Sequence, residues 1–123
     1  MIGKIYWSVF PYYDARQKRN GFKKRPVLII SEARNNDYTV LPVSSVSISS
    51  NIDQDYDIKV DPTYYPDLGL TKVCYIRTHK QTIVHRASIT SLAGDLKGCY
   101  EDLYIEVLAK MEAYQKLLLD RAL

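Results

Sequence analysis

Short apolar runs rich in β-branched and aromatic residues dominate the first two thirds of the chain. Six of these runs predict strands, since each is rich in Val, Ile, Tyr or Thr and is bounded by Pro, Gly, Asn or Asp. In the first of them Ile5, Trp7 and Val9 alternate with more polar residues, as expected of a strand with one buried face. The predicted strands are Lys4–Phe10, Arg25–Ser31, Tyr38–Val46, Tyr56–Val60, Thr71–Thr78 and a weaker Gln81–His85.

The run from Val27 to Ile30 is apolar at every position, which is typical of a strand buried on both faces. We therefore expect a central strand with Arg25 at its start. The turn-forming residues 35–37 separate this strand from the next one. If the two strands pair as antiparallel neighbours, the end of the second returns beside the start of the first.

The hydrophobic period changes after Gly94 and Gly98. From about Glu101 to Arg121 the apolar residues recur at helical spacing with charged residues between them, which predicts one amphipathic helix at the C-terminus. Its apolar positions are Leu103, Val107, Leu108, Met111, Tyr114, Leu117 and Leu118.

A run of strands closed by a single helix predicts an α+β fold. We expect a small, strongly bent antiparallel sheet or partial barrel, with the C-terminal helix packed across it. The chain has 123 residues and is 46% hydrophobic, which is enough for one core but not for two. Residues 1–123 are therefore expected to form a single domain.

The hydropathy argues against a membrane protein, and the cysteines argue against an extracellular protein stabilised by disulfides. No apolar stretch approaches the roughly 20 residues that a membrane span needs, and the N-terminal MIGKIYWSVF reads as a strand, not as a signal peptide. We expect a cytoplasmic protein without membrane contact. Cys74 and Cys99 are too few for a disulfide framework and lack the CxxC spacing of zinc or redox sites. Both are expected to be reduced and mainly to fill space.

The excess positive charge of the chain lies in one segment. Between Arg16 and Arg25 the run RQKRNGFKKR has six basic residues and no acid, whereas the other 113 positions hold 11 basic and 14 acidic residues. The formal net charge of +3 is modest for a protein that coats a duplex, so the basic surface should be local. Such a segment followed by a buried strand is typical of a phosphate-binding surface.

Arg25, Ser44 and Ser45 form the sharpest candidate site. Pairing of the two strands would place the two serines, near the end of the second, within reach of a phosphate held by Arg25. Arg suits such a site because its planar guanidinium meets phosphate oxygens bidentately and stays charged. On these residues alone, however, an edge Arg with solvent-facing serines is the commoner arrangement.

The order of several motifs resembles that of the MazF/PemK family of toxins. The most specific motif is KKRPVLIIS, and its order with the strands VLPVSS and CYIRTHKQTI strengthens the resemblance. The rest of the resemblance covers almost the whole chain. It comprises the strand IGKIYWSVFP, a loop with Tyr13, Asp14 and basic residues, the segment SLAGDL and the terminal helix.

The resemblance implies a sequence-specific endoribonuclease of a type II toxin–antitoxin system that needs no metal ion or other cofactor. In the implied reaction the ribose 2′-hydroxyl attacks the adjacent phosphorus, and the products carry 2′,3′-cyclic phosphate and 5′-hydroxyl ends. By the same resemblance Arg25 binds the phosphate, stabilises its transition-state charge and is a candidate to protonate the leaving oxygen. Ser44 falls where the family commonly has Thr and keeps the hydroxyl; Ser45 is the alternative if the register differs by one residue.

Two departures from the family pattern leave the general base unassigned. Lys and Arg stand where many members have a Glu-Gln pair before the RP motif, and Cys74 stands where some have an acidic residue. Tyr75, His79 and Asp14 are candidates, although a neutral Tyr is a poor base and a lone His is as often a surface residue. A nucleophilic role for Cys74 is disfavoured, because the substrate supplies its own hydroxyl.

Further basic residues are candidates to hold flanking phosphates of single-stranded RNA. Each alone reads as a solubilising charge, but six in one segment favour an RNA contact, since solvating charges normally come in both signs. We expect residues 16–24 to form a mobile loop that orders over RNA or antitoxin. The candidate RNA-binding residues are Lys18, Arg19, Lys23, Lys24, Lys72, Arg77 and His79.

The resemblance also implies a homodimer whose sheets create the RNA groove, and a cognate antitoxin with an acidic C-terminal segment that lies across it. Two other functions stay open on the sequence. One is a toxin of the same fold without catalysis, such as the CcdB gyrase poison; the other is a nucleic-acid binder that does not cut. Arg25 followed by a strand with hydroxyls favours cleavage.

Overall fold

A computed structural model describes the backbone of residues 1–123 and every side chain except those of Tyr12 and Tyr13. Tyr13, which belongs to the loop named in the family resemblance, therefore lies outside the described side chains. The structure contains seven strands and a C-terminal helix. The strands are β1 (Lys4–Asp14), β2 (Arg19–Ile29), β3 (Asp37–Ser44), β4 (Asp57–Val60), β5 (Cys74–Arg77), β6 (Thr82–His85) and β7 (Ile89–Asp95). A short helix α1 (Leu96–Cys99) leads into the long helix α2 (Glu101–Ala122), and 3-10 turns occur at Ser49–Asn51, Pro66–Leu68 and Arg86–Ser88.

The strands form one antiparallel sheet in the order β4-β5-β3-β2-β1-β7, with β6 paired to β3 outside this path. One edge of β3 pairs first with β6, from Asp37 to Val40, and then with β5, at Val43 and Ser44. This change of partner goes with the curl of the sheet into a half-barrel. The α+β prediction of a bent antiparallel sheet and a C-terminal helix is confirmed.

Apolar residues pack on both faces of the sheet. Leu28 belongs to the larger cluster, which also contains Leu103 and Val107 of α2. Val27 and Ile29 belong to the smaller cluster on the opposite face. Because neighbouring residues of a strand point to opposite faces, this division confirms that the core of β2 is buried on both sides. Within the part of the chain that the structure describes, no helix is both long and apolar enough to cross a bilayer.

The basic segment was expected to be a loop, and that prediction is wrong. β1 continues to Asp14 and β2 begins at Arg19, so most of the segment lies in a β-hairpin with an unbroken register from Ile5↔Leu28 to Asp14↔Arg19. Lys, Arg, Asn and Gly are uncommon in strands. Here the continuous pairing with β1 outweighs that local preference. Arg25 therefore lies within β2 and not at its start.

Strand β7 was not predicted from the sequence. Its residues ITSLAGD alternate poorly, and only Gly94 is buried. Pairing with the edge of β1 holds the strand in place, with register shifts on either side of Tyr6. The sequence signal was weak because the strand is stabilised by its neighbour and not by a row of buried side chains.

A close backbone approach fixes the loop that leads into β5. Gly94 in β7 leaves no room for a side chain, since a Cβ there would lie 2.6 Å from the Cα of Leu68 and 2.7 Å from the carbonyl oxygen of Asp67. Gly69 adopts a left-handed backbone with φ +68°, which glycine tolerates without strain. With Leu68 fully buried, this packing anchors the chain directly before Leu70, Thr71 and Lys72.

Candidate active site

A groove opens where β2 and β3 separate. The two strands pair only from Val27↔Pro42 to Ile29↔Val40. Beyond this point the last residues of β3 pair with β5, whereas β2 continues with β1 as its partner. Two adjoining cavities of about 530 and 250 Å³ occupy the resulting gap. The larger is within the usual size range of small-molecule sites.

Residues from both strands line the two cavities together. Those shared by the cavities are Lys23, Arg25, Pro26, Val43 and Ser44. The larger cavity adds Trp7, Lys24, Ser45, Lys72 and Cys74, and the smaller one adds Phe10 and Thr82. Positively charged side chains thus form the rim of the groove, and a hydroxyl and apolar side chains line its interior.

Arg25 and Ser44 face each other across the gap. Extending the register of Val27 with Pro42 by two residues would match Ser44 with Arg25, and both residues line the two cavities. Arg25 is exposed and Ser44 is half-buried, and among the described residues no ion pair involves the Arg25 guanidinium. The structure therefore brings together the three predicted residues Arg25, Ser44 and Ser45. A guanidinium without a protein carboxylate is available for an anionic ligand.

The basic residues predicted to bind RNA fall into three groups. Lys23, Lys24 and Lys72 line the groove with Arg25. Lys18 and Arg19 lie at the far end of the β1–β2 hairpin, beyond the cavity lining. Arg77 and His79 line neither cavity.

The structure does not bring Arg77 into the groove. Its Nε donates to Asp57 Oδ1 at 3.1 Å, and its Nη2 donates to Asp57 Oδ2 at 3.2 Å and to the backbone oxygen of Asn51 at 3.0 Å. The Asp57 carboxylate is fully buried. Its guanidinium compensates a buried charge and ties β5 to β4 and to the loop before it, so the expected contact of Arg77 with RNA stays a prediction that its place outside the groove does not support.

His79 is packed between aromatic rings under the long helix. Its ring centroid lies 6.1 Å from that of Tyr56 and 5.9 Å from that of Tyr114. The nearest carboxylates are Asp57, 3.7 Å from Nδ1, and Asp53, 3.9 Å from Nε2. These contacts place His79 in the packing between α2 and the β3–β4 loop and not beside Arg25.

The other candidates for the base are also constrained. Asp14 Oδ1 accepts hydrogen bonds from the backbone N–H groups of Arg16, at 2.9 Å, and Gln17, at 3.2 Å, so it closes the hairpin turn. Tyr75 is the cross-strand partner of Ser44 and is the candidate nearest to the groove. Of the three candidates, the fold brings only Tyr75 next to a residue of the site.

Cys74 lies in the wall of the larger cavity as a thiol. Its Sγ donates to the backbone oxygen of Lys72 at 3.3 Å. Burial raises the pKa of the Cys74 thiol above its ordinary value, and the Lys72 charge opposes the shift only in part. The neutral thiol is therefore favoured over the thiolate, which agrees with a packing role.

Comparison with known families gives one match. The sequence model of the family described as PemK-like, MazF-like toxin of type II toxin-antitoxin system matches residues 2–112. A search of curated proteins finds no match. The matched range includes every strand of the sheet and the first half of α2.

The two cysteines should react at different rates with iodoacetamide at pH 8. Cys99 is exposed, whereas Cys74 is buried and its pKa is raised, so fewer Cys74 groups are thiolates. We expect Cys99 to be alkylated first, Cys74 to follow slowly and faster as the pH rises, and Cys99→Ser to abolish the fast phase. Peptide mass spectrometry of a time course measures both rates, with the denatured chain as the control. Equal rates in the folded protein would show that Cys74 is accessible.

Proposed function

Because the chain belongs to the family of PemK-like, MazF-like toxins of type II toxin–antitoxin systems, we propose that it is an endoribonuclease acting on single-stranded RNA in the groove between β2 and β3. The observation on which this proposal rests is that Arg25, which forms no ion pair with any described residue, lines two adjoining cavities together with Ser44. A toxin that acts only by binding a protein has no need of a guanidinium and a hydroxyl directed at one anion.

The proposed reaction uses the hydroxyl of the substrate as nucleophile. The 2′-oxygen loses its proton to solvent and bonds to the adjacent phosphorus, the bond from phosphorus to the 5′-oxygen breaks, and the leaving oxygen takes up a proton from solvent. The products are a 2′,3′-cyclic phosphate and a 5′-hydroxyl. Negative charge builds up on the non-bridging phosphate oxygens during this displacement, so fixed donors aimed at them lower the barrier.

Arg25 and Ser44 are the donors that fit this reaction. The guanidinium of Arg25 can meet two phosphate oxygens and remains charged at any relevant pH. Ser44, held half-buried by pairing with β5, offers a hydroxyl donor from the opposite wall. Strand pairing fixes the backbone positions of both residues before substrate arrives, which favours electrostatic catalysis.

The remaining lysines of the groove suit the neighbouring phosphates of the RNA. Lys23 and Lys24 lie on the β2 side of the groove, and Lys72 lies in the loop before β5. Phosphate contacts of this kind supply affinity that falls as salt concentration rises. The described lining of both cavities contains neither a carboxylate nor an imidazole. We therefore assign no protein group as the base, and Arg25 and Ser44 are the residues proposed for catalysis.

A toxin of this family implies an antitoxin partner. We propose that its acidic segment binds over the cationic groove, because the rim formed by Lys23, Lys24, Arg25 and Lys72 attracts carboxylates as well as phosphates. The homodimer expected from the resemblance stays a prediction, and the solution mass of the purified protein, against 14.2 kDa for one chain, checks it.

Replacing Arg25 with Ala should reduce RNA cleavage by roughly 100-fold or more, the usual cost of removing one transition-state donor. The measurement is the rate of cutting of a long RNA by the purified protein in the presence of a metal chelator. Arg86→Ala is the matched control, since Arg86 is equally an exposed arginine but lies beyond β6 and lines neither cavity. Undiminished cutting by the Arg25 variant would remove Arg25 from the mechanism, and no cutting by the wild type would overturn the proposed function.

Among the serines, Ser44→Ala should have the largest effect. Ser44 borders both cavities, whereas the exposed Ser45 borders only the larger one, so we expect a loss of about tenfold or more for Ser44 and a smaller loss for Ser45. The same cleavage assay compares both with Ser47→Ala, an exposed serine after β3. A larger loss for the Ser45 variant would shift the assignment by one residue.

Antitoxin and RNA should exclude each other from the groove. We expect the cognate antitoxin to displace a fluorescent, 2′-O-methylated RNA, and we expect added salt to weaken both complexes, because both rely on the same cations. Competition titrations followed by fluorescence anisotropy measure the displacement. A ternary complex in which both ligands keep their full affinity would place the antitoxin elsewhere.

A further inference from the structure

The outer half of the β1–β2 hairpin is a two-stranded ribbon that extends beyond the sheet. We define this ribbon as Val9–Asp14 paired with Arg19–Lys24. The pairing of β1 with β7 ends at Ser8, and the pairing of β2 with β3 ends at Val27. The edge of Arg19–Lys24 that faces away from β1 therefore pairs with no described strand, and its last residues, Lys23 and Lys24, line the groove.

Phe22 stands out on this ribbon because its side chain is 74% exposed. It belongs to neither apolar cluster and makes no ring contact with any described aromatic residue. A phenyl ring with this exposure gains little stabilisation from burial in the folded chain. Truncating it should therefore cost little stability, so its effect on binding can be tested separately.

The ribbon presents Phe22 on the same side as part of the groove wall. Residues two apart in a strand share a face, so Phe22, Lys24 and Pro26 form one row. Lys24 and Pro26 line the larger cavity, as does Trp7, the cross-strand partner of Pro26. At about 3.3 Å per residue, Phe22 extends this row roughly 7 Å beyond Lys24.

The surroundings of Phe22 indicate a nucleic acid rather than an apolar partner. Lys23 and Lys24 follow it directly, and Lys18 and Arg19 lie at the nearby end of the ribbon. In the ribbon the described acid is Asp14, whose Oδ1 is bonded to the turn backbone. A protein interface would need a contiguous apolar patch, whereas a single ring among cations matches an unpaired base flanked by phosphates.

We propose that Phe22 stacks on an unpaired base of an RNA strand that leaves the groove along the ribbon. This inference rests on the proposed function for its ligand, since it takes the RNA bound at Arg25 as the strand that reaches Phe22. Stacking on an aromatic ring tolerates all four bases, because each has a π-face. Phe22 thus adds affinity and fixes the path of the strand, while the chemical step stays at Arg25 and Ser44.

The test compares two uncleavable dodecamers of equal charge. One is a 2′-O-methyl RNA of random sequence, and the other has the same backbone without bases. Fluorescence anisotropy at constant salt gives the Kd of the full-length wild type and of Phe22→Ala for each. Ile83→Ala is the control, since Ile83 is also exposed on a strand but lies in β6 and borders neither cavity. Thermal unfolding confirms that the variants are folded.

We expect Phe22→Ala to weaken binding of the RNA by about 5- to 30-fold, as one lost base stack does. Binding of the baseless strand should change by less than about twofold, since phosphate contacts remain. Phe22→Trp should retain or improve the RNA affinity, whereas Phe22→Leu, apolar but without a ring, should not restore it. Unchanged RNA binding by Phe22→Ala, or an equal loss for both strands, would overturn the proposal.

Cleavage measured in parallel separates this inference from the proposed function. A wild type that shows Phe22-dependent base binding but cuts no RNA would contradict the endoribonuclease and support the stacking. A wild type that cuts RNA while Phe22→Ala binds and cuts normally would overturn the stacking alone. Normal RNA binding by Phe22→Ala with weaker antitoxin binding would assign Phe22 to a protein interface and likewise overturn it.

Discussion

The backbone pairing of β3 is the constraint on which the rest of the structure depends. One edge of β3 pairs with β2 only from Val40 to Pro42, and its other edge changes from β6 to β5. Pro26 brings no backbone N–H to donate to β3, so β2 and β3 diverge beyond the pair Val27↔Pro42. The groove, its cavities and the separation of Arg25 from the sheet interior all follow from this divergence.

A neighbouring carboxylate distinguishes Arg77 from Arg25. Arg77 lies beside the buried Asp57 and makes two hydrogen bonds to it, so its charge is used inside the protein. Arg25 has no such neighbour among the described residues and faces Ser44 across open space. If Arg77 moved away, the buried charge of Asp57 would be left uncompensated, so Arg77 stays beside Asp57. Arg25 has no such carboxylate to compensate in the described part of the chain and can bind an external anion.

The core of the fold could be predicted from the sequence because its signals are local. The apolar run of β2, the turn before β3 and the spacing of α2 each specify an element, and together they placed Ser44 near Arg25. The ribbon was missed because its basic residues disfavour strands and are held by pairing with β1. The role of Arg77 depends on Asp57, which is 20 positions away along the chain, so a position on a strand could not indicate it.

In the proposed mechanism, Arg25 and Ser44 hold a phosphate while the adjacent 2′-hydroxyl attacks it. The most direct test is the chemistry of the ends that the purified wild-type protein leaves on RNA in the presence of a chelator, determined by mass spectrometry. The mechanism predicts a 2′,3′-cyclic phosphate on one fragment and a 5′-hydroxyl on the other, and no cutting where a single 2′-deoxy sugar replaces the ribose at the cut. A 5′-phosphate end, or cutting of the deoxy-substituted strand, would contradict it.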